Sequence, residues 1–182
     1  MSYHIVFGVT GSIAAYKAVE VVSSLIKLGN RVTVIMTSSA QRFVNPVTFR
    51  SISRNQVITD LFIDNEDFNP RHISLSENAD LMVVAPATAN FIGKVVSGIA
   101  DDALTCTVMA SRSPVIIAPA MNDSMYGNPI VQGNIKKLID LGYRIIEPDE
   151  GRLCTGRIGK GRLAPVEKIV DVIKEELNKR NK

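Results

Sequence analysis

Four short runs of β-branched and apolar residues constrain this chain more than any other feature: 4–9 (HIVFGV), 31–36 (RVTVIM), 80–85 (DLMVVA) and 114–118 (PVIIA). Near-continuous apolar runs of this length read as strands buried on both faces, the habit of a parallel sheet covered by helices. The segments between them carry helical spacing. Within 12–28, Ala14, Ala18, Val21, Val22, Leu25 and Leu28 share one face, Glu20 and Lys27 lie elsewhere, and Gly29 supplies the stop. Helices are expected over 89–97 and 102–110, and again from Pro129, where Asn128 caps the start and Gly142 ends the run. A fifth strand falls near 143–146, and Pro165 opens a last helix with Val166, Ile169, Val170, Ile173 and Leu177 on one stripe. This βα alternation predicts an α/β fold: a doubly wound, Rossmann-like parallel sheet of the flavodoxin-like three-layer kind. The 182 residues, 46% of them hydrophobic, suit a single domain spanning 1–182.

Composition removes several function classes. The 21 lysines and arginines exceed the 18 acids by three and form no block able to track a nucleic-acid backbone, so neither nucleic acid nor membrane is an expected partner. Cys106 and Cys154 are too few for a disulfide framework, and no His/Cys cluster has metal-ligand spacing; a reducing compartment is expected, and no metal. No apolar run approaches the ~18 residues of a membrane span, and no basic segment precedes one. These readings predict a soluble, unprocessed cytoplasmic protein.

In a doubly wound sheet ligands sit beyond the carboxyl ends of the strands, so chemistry is sought in the loops that follow them. The first such turn reads GVTGSIAAYK, with Gly11 and Ser12 where a helix N-terminus would attract an anion. It is neither a full GxGxxG nor a P-loop, so a phosphate site and a plain turn with an N-cap serine both remain open. Thr37, Ser38 and Ser39 follow the second strand and face the same edge, which favours a phosphorylated ligand. After the third strand, Thr88 and Asn90 stand at a helix start, where each could cap the helix or bond a ligand. Asp101 and Asp102 read as an N-cap pair. Asn122 follows the fourth strand in PAMN, where its amide could hold a carboxylate without adding charge, or simply cap the next turn.

His4 merely starts the first strand, whereas His72 ends the irregular polar segment 54–71 and is the one histidine placed to act as a base. The segment GRLCTGRIGKGRL, 151–163, reads as a mobile loop because Gly156, Gly159 and Gly161 suit neither helix nor strand. Its Arg152, Arg157, Lys160 and Arg162 would suit an anionic substrate, or would merely be solvated.

Taken in order, TGSIAAYK, His72 followed by ISL, APATAN with ADDALT, PAMNDSMYGNP and GRLCTGRIGKGR resemble the flavin-containing cysteine decarboxylases over essentially the whole chain. Within that family they are most similar to the branch of coenzyme A biosynthesis acting on 4'-phosphopantothenoylcysteine. The resemblance implies an FMN-dependent carboxy-lyase yielding 4'-phosphopantetheine. It implies FMN bound by Gly11, Ser12, Ile13, Thr37, Ser38, Ser39, Thr88, Ala89, Asn90, Phe91 and Ala120. His72 then corresponds to the active-site histidine, Asn122 to the asparagine that engages the substrate carboxylate, and about 150–163 to a flap over the substrate.

Loss of CO2 from a cysteine leaves an unstabilised carbanion unless an electron sink is present, and flavin oxidation of the thiol carbon to a thioaldehyde would provide one. The family's flap carries Ala-Cys-Gly, its cysteine donating a proton in the closing reduction. Here Cys154, Thr155 and Gly156 occupy that stretch, so the expected donor, Cys154, is displaced by one residue. That departure keeps open a lantibiotic-type peptidyl-cysteine decarboxylase, which releases the enethiol. A non-catalytic regulatory relative is the other alternative, although such relatives can dispense with His72 or Asn122. The resemblance further implies a homo-oligomer, a trimer or an assembly of trimers, and a separate phosphopantothenate-cysteine ligase upstream.

Overall fold

A computed structural model describes residues 2–62, 71–153 and 156–180, with 71 and 72 as backbone only. Strand β1 (His4–Val9), helix α1 (Ala15–Lys27) and strand β2 (Arg31–Met36) form the first unit. Helices α2 (Pro46–Ser53) and α3 (Arg71–Asn78) precede β3 (Leu81–Ala87), which leads to α4 (Ala89–Val96) and α5 (Ala103–Ala110). Strand β4 (Val115–Pro119) is followed by the short α6 (Asp123–Tyr126), α7 (Pro129–Asp140) and β5 (Arg144–Ile145). A hairpin of β6 (Asp149–Arg152) and β7 (Ile158–Arg162) then leads to α8 (Val166–Lys179).

The five-stranded sheet has order β2-β1-β3-β4-β5 and every pair is parallel, as the apolar runs foretold. Because side chains alternate across a strand, Ile5, Phe7 and Val9 of β1 enter the core beneath α1 and α8, while Val6 enters the opposite core beneath α4, α5 and α7. Strands β3 and β4 divide the same way: Leu81, Val83 and Ile116 face one side, and Met82, Val84 and Ile117 the other. At Gly8 the second core comes so close that a Cβ would lie 2.4 Å from a methyl of Leu104, which explains a glycine inside a buried strand. The chain leaves β1 toward β2 on one side and reaches β3 on the other. The topological switch therefore lies between β1 and β3, and the loops after those strands open toward a common crevice.

Three sequence expectations need correction. The first helix starts at Ala15 rather than 12, because residues 12–14 form a tight turn in which Ser12 Oγ accepts the Ala14 N–H at 3.3 Å. Within 54–71, Ile58 bridges to Ile35 beside β2, and His72 belongs to the first turn of α3 rather than to a loop end. The glycine-rich segment is an antiparallel hairpin: Gly151 and Gly159 pair across it, and Gly161 also lies in β7. Those glycines are tolerated because the ribbon presses on other segments of the same chain. A Cβ on Gly159 would sit 2.7 Å from that of Asp123, and one on Gly161 would sit 2.3 Å from the Met121 carbonyl oxygen.

Candidate functional site

Two cavities lie side by side over the carboxyl ends of β1 to β4. The first, of about 440 Å³, collects the turns after all four strands. From the first turn come Thr10, Gly11 and Ser12; from the second, Thr37, Ser38 and Ser39; from the start of α4, Thr88, Ala89, Asn90 and Phe91; and from beyond β4, Ala120 and Met121. Ten of the eleven residues implied as cofactor ligands thus meet in one space. Ile13 is the exception, for its side chain turns into the neighbouring cavity and is 60% exposed.

The floor of this cavity is tightly braced. Gly11 approaches the second turn so closely that a Cβ would lie 2.4 Å from that of Ser39. Thr10 Oγ1 donates to the Pro86 carbonyl at 2.8 Å and accepts the Thr88 N–H at 3.0 Å, fastening the first turn to the third. Among the described residues, the backbone N–H groups of Gly11, Ile13, Ser38 and Ser39 find no acceptor. Free amides beside the hydroxyls of Ser12, Thr37, Ser38 and Ser39 make a nest for an anion. Phe91, Met121 and Met125 supply an apolar wall on the other side.

Capping does not exhaust the hydrogen-bonding capacity of either Thr88 or Asn122. Thr88 caps α4 by accepting the Phe91 N–H at 3.3 Å, which uses a lone pair and leaves its O–H free to donate. Asn122 caps α6 by accepting the Ser124 N–H at 3.0 Å through Oδ1, so its two Nδ2 donors remain available. Only Asp102 of the acidic pair is a cap, sharing a capping box with Thr105; Asp101 instead pairs with Lys94 at 2.6 Å. That hydrogen bond raises the Lys94 ammonium above its ordinary range and lowers the Asp101 carboxyl.

Lys94 and Asp102 also line the first cavity, as do Thr10, Met121 and Met125, none of which the sequence reading assigned. Lys94 lies four residues beyond Asn90, hence on the same face of α4, a spacing that could have revealed it.

The second cavity, of about 520 Å³, shares Ser12, Ala120 and Met121 with the first. Tyr16 and Lys17 of α1, Asn122, and Arg152 and Arg162 of the hairpin complete much of its wall. The hairpin is secured there by the Met121 N–H, which donates to the Gly161 carbonyl at 2.9 Å. Farther out, Lys160 pairs with Glu147 and stands 5.6 Å above the Tyr126 ring, and the Tyr126 hydroxyl donates to Glu147 at 3.3 Å. The lysine hydrogen bond holds the Glu147 carboxyl below its ordinary range, while burial raises the Tyr126 hydroxyl. The His72 side chain and all of Cys154 lie outside the described residues.

The sequence pattern of the flavoprotein family matches residues 1–178. The chain belongs to the flavoprotein family. This flavoprotein is 47% identical over 98% of its length to the coenzyme A biosynthesis bifunctional protein CoaBC of Borreliella burgdorferi, covering 45% of that relative. It is 40% identical to the probable phosphopantothenoylcysteine decarboxylase of Streptococcus mutans, over 97% of this chain and 100% of the other. The flavoprotein thus spans less than half of its bifunctional relative and all of the shorter one.

Among solved structures, a PPC decarboxylase mutant complexed with pantothenoylaminoethenethiol superposes with a TM-score of 0.88 at 28% identity, covering 96% of this chain and 98% of that one. The FMN-dependent cysteine decarboxylase SpaF superposes with a TM-score of 0.87 at 33% identity, covering 99% and 98%. The fold of the flavoprotein is therefore that of the PPC decarboxylases, as its parallel sheet and switch point had indicated.

Proposed function

We propose that this flavoprotein binds FMN in the first cavity and decarboxylates 4'-phosphopantothenoylcysteine to 4'-phosphopantetheine, a step of coenzyme A biosynthesis. The observation that carries the reading is the junction of the two cavities. An anion nest and an apolar wall on one side suit the phosphate and ring of a flavin nucleotide, and the other side presents the Nδ2 donors of Asn122, whose Oδ1 is taken by the α6 cap, with cationic groups beyond it. The names of the relatives supply the reaction class.

When bound, FMN supplies a reversible acceptor for the electrons of the thiol carbon. The chain's own part is positioning and proton handling. Gly11 and Ser39, in mutual contact, hold the free amides of both turns at a fixed separation for the phosphate. The Asn122 Nδ2 donors would bind the substrate carboxylate while the cap keeps the amide from rotating, and a neutral donor leaves the carboxylate ready to depart as CO2. His72, at the start of α3, is assigned the thiol proton, and Cys154 the proton returned to the product.

The decisive experiment incubates the FMN-loaded protein with 4'-phosphopantothenoylcysteine and weighs the product. A product lighter by CO2 alone supports the full reaction. One lighter by CO2 and two further hydrogens identifies an enzyme that releases the enethiol, as the displaced Cys154 would favour. An unchanged substrate overturns the reading. Cys154→Ser should convert the first outcome into the second, and His72→Asn should lower turnover at least tenfold with FMN retained. On this reading the protein works in the cytoplasm as a homo-oligomer of trimeric type, supplied by phosphopantothenate-cysteine ligase activity; native mass measurement tests the assembly.

A further inference from the structure

Hairpin cations that look equivalent in sequence separate into distinct classes in the fold. Lys160 is neutralised by Glu147 and stands over Tyr126, outside both cavities. Arg157 lies near the tip of the ribbon and lines neither. Arg152 and Arg162 instead line the second cavity, and among the described residues neither has a carboxylate partner. Lys17 enters the same wall from α1, and it too has no partner among the described residues. Three cations around one space, with no acid among the described residues that line it, create a field that an anion would relieve, and guanidinium forks match phosphate oxygens in pairs.

Two further contacts hold Arg162 in place. Its guanidinium lies across Gly151 on the facing strand, where a Cβ would come within 2.3 Å of Nη1. Its own strand is tied to the loop before Asn122 by the bond from the Met121 N–H to the Gly161 carbonyl. Gly151 thus serves as a flat seat for the arginine, and the same loop carries the amide assigned to the carboxylate.

We propose that Arg152 and Arg162 form the subsite for the dianionic phosphate at the far end of the substrate, so that the second cavity distinguishes phosphorylated from unphosphorylated pantothenoyl compounds. The inference rests on the assigned substrate and deepens it. Asn122 holds the carboxylate end beside the first cavity, and the paired arginines take the other end of the same extended molecule.

Steady-state kinetics of the holoenzyme on 4'-phosphopantothenoylcysteine and pantothenoylcysteine, alongside calorimetric binding of 4'-phosphopantothenate and pantothenate, test this. Arg162→Gln and Arg152→Gln should each raise KM for the phosphorylated substrate about 10- to 100-fold more than for the other, the effect lying in KM rather than kcat. Gly151→Ala displaces only the flexible end of Arg162 and should reproduce part of the Arg162→Gln loss without any change of charge. Lys136→Gln, on the distant outer face of α7, removes an equal charge and should leave the preference intact. Equal losses on both substrates, or a preference untouched in both arginine variants, overturn the subsite. Absence of turnover by the unmodified holoenzyme sinks the proposed reaction instead. The binding arm still decides the subsite in that case: a preference for 4'-phosphopantothenate that Arg162→Gln abolishes supports it, and equal binding of both compounds refutes it.

Discussion

The two cavities share three residues yet are built in opposite ways. The first is floored by turns that follow strands buried at their carboxyl ends, β3 and β4 along their whole length, and the turns are cross-braced through Thr10, Gly11 and Ser39. The second takes a wall from a two-stranded ribbon whose residues are mostly exposed, Ile158 at 76%. A hairpin of that size is marginal alone and depends on what it rests against. Here it rests on the Met121 to Asp123 loop through glycines, one backbone bond and the Lys160, Glu147 and Tyr126 cluster. A cofactor site benefits from rigidity established by the core, whereas a site that must admit and release substrate benefits from a wall with a low cost of opening.

Breaking the braced side should have the largest effects. Ile116→Ala, in the fully buried β4, should cost about 2–5 kcal/mol in denaturant unfolding, whereas Ile158→Ala in the ribbon should stay within about 0.5 kcal/mol. A comparable loss at both positions would erase the contrast. Asn122→Asp keeps the α6 cap but sets a second carboxylate against that of the substrate, so decarboxylation should fall by about 100-fold or more while bound FMN persists.

Gly11→Ala forces the first two turns apart at a cost of about 1–3 kcal/mol, read as a roughly 5- to 150-fold weaker FMN dissociation constant in fluorescence titration. Unchanged affinity would mean that the brace does not set the nest.

On the ribbon side the expected effects are smaller. Glu147→Gln removes an exposed ion pair worth at most about 1 kcal/mol, and should speed hydrogen exchange in β6 and β7 without a matching shift in Tm. Because Lys160 lowers the folded Glu147 pKa, that contribution is present above the unfolded carboxylate value and is lost as pH falls through the folded one.

The smallest effect concerns His4, at the opposite end of the sheet. Burial holds its imidazole below the ordinary value of 6.5, and it bridges Thr33 Oγ1 at 2.9 Å and the Asn78 carbonyl at 3.1 Å. The unfolded chain then binds more protons, so stability should decline as pH drops below 6.5 toward the folded value, and His4→Gln should flatten that part of the profile.

How far the sequence could be read depended on the kind of signal each segment carried. The five strands of the sheet and the helices α1, α4, α5, α7 and α8 were legible because burial imposes periodicity, and the strand ends pointed to the loops around the first cavity, although the full set of residues lining it came from the family resemblance. Helix α2 escaped notice although Asn45-Pro46 repeats the signal that marks α7 at Asn128-Pro129: Asn45 accepts the Val47 N–H at 3.0 Å as a cap. The hairpin is illegible in the sequence because glycine usually weakens a strand, and nothing local shows that Asp123, Met121 and the Arg162 side chain occupy the missing Cβ positions.

Pattern and spacing, which are properties of consecutive residues, thus determined the parallel sheet and the strand-end edge where the cavities open, while the position of the switch point came with the strand order. The division into two cavities, the sorting of Lys160 from Arg152 and Arg162, and the hydrogen-bonding capacity that capping leaves on Thr88 and Asn122 belong to the tertiary structure alone. Each depends on a contact between segments distant in the chain, or on which hydrogen-bonding capacity remains after the backbone has taken its share.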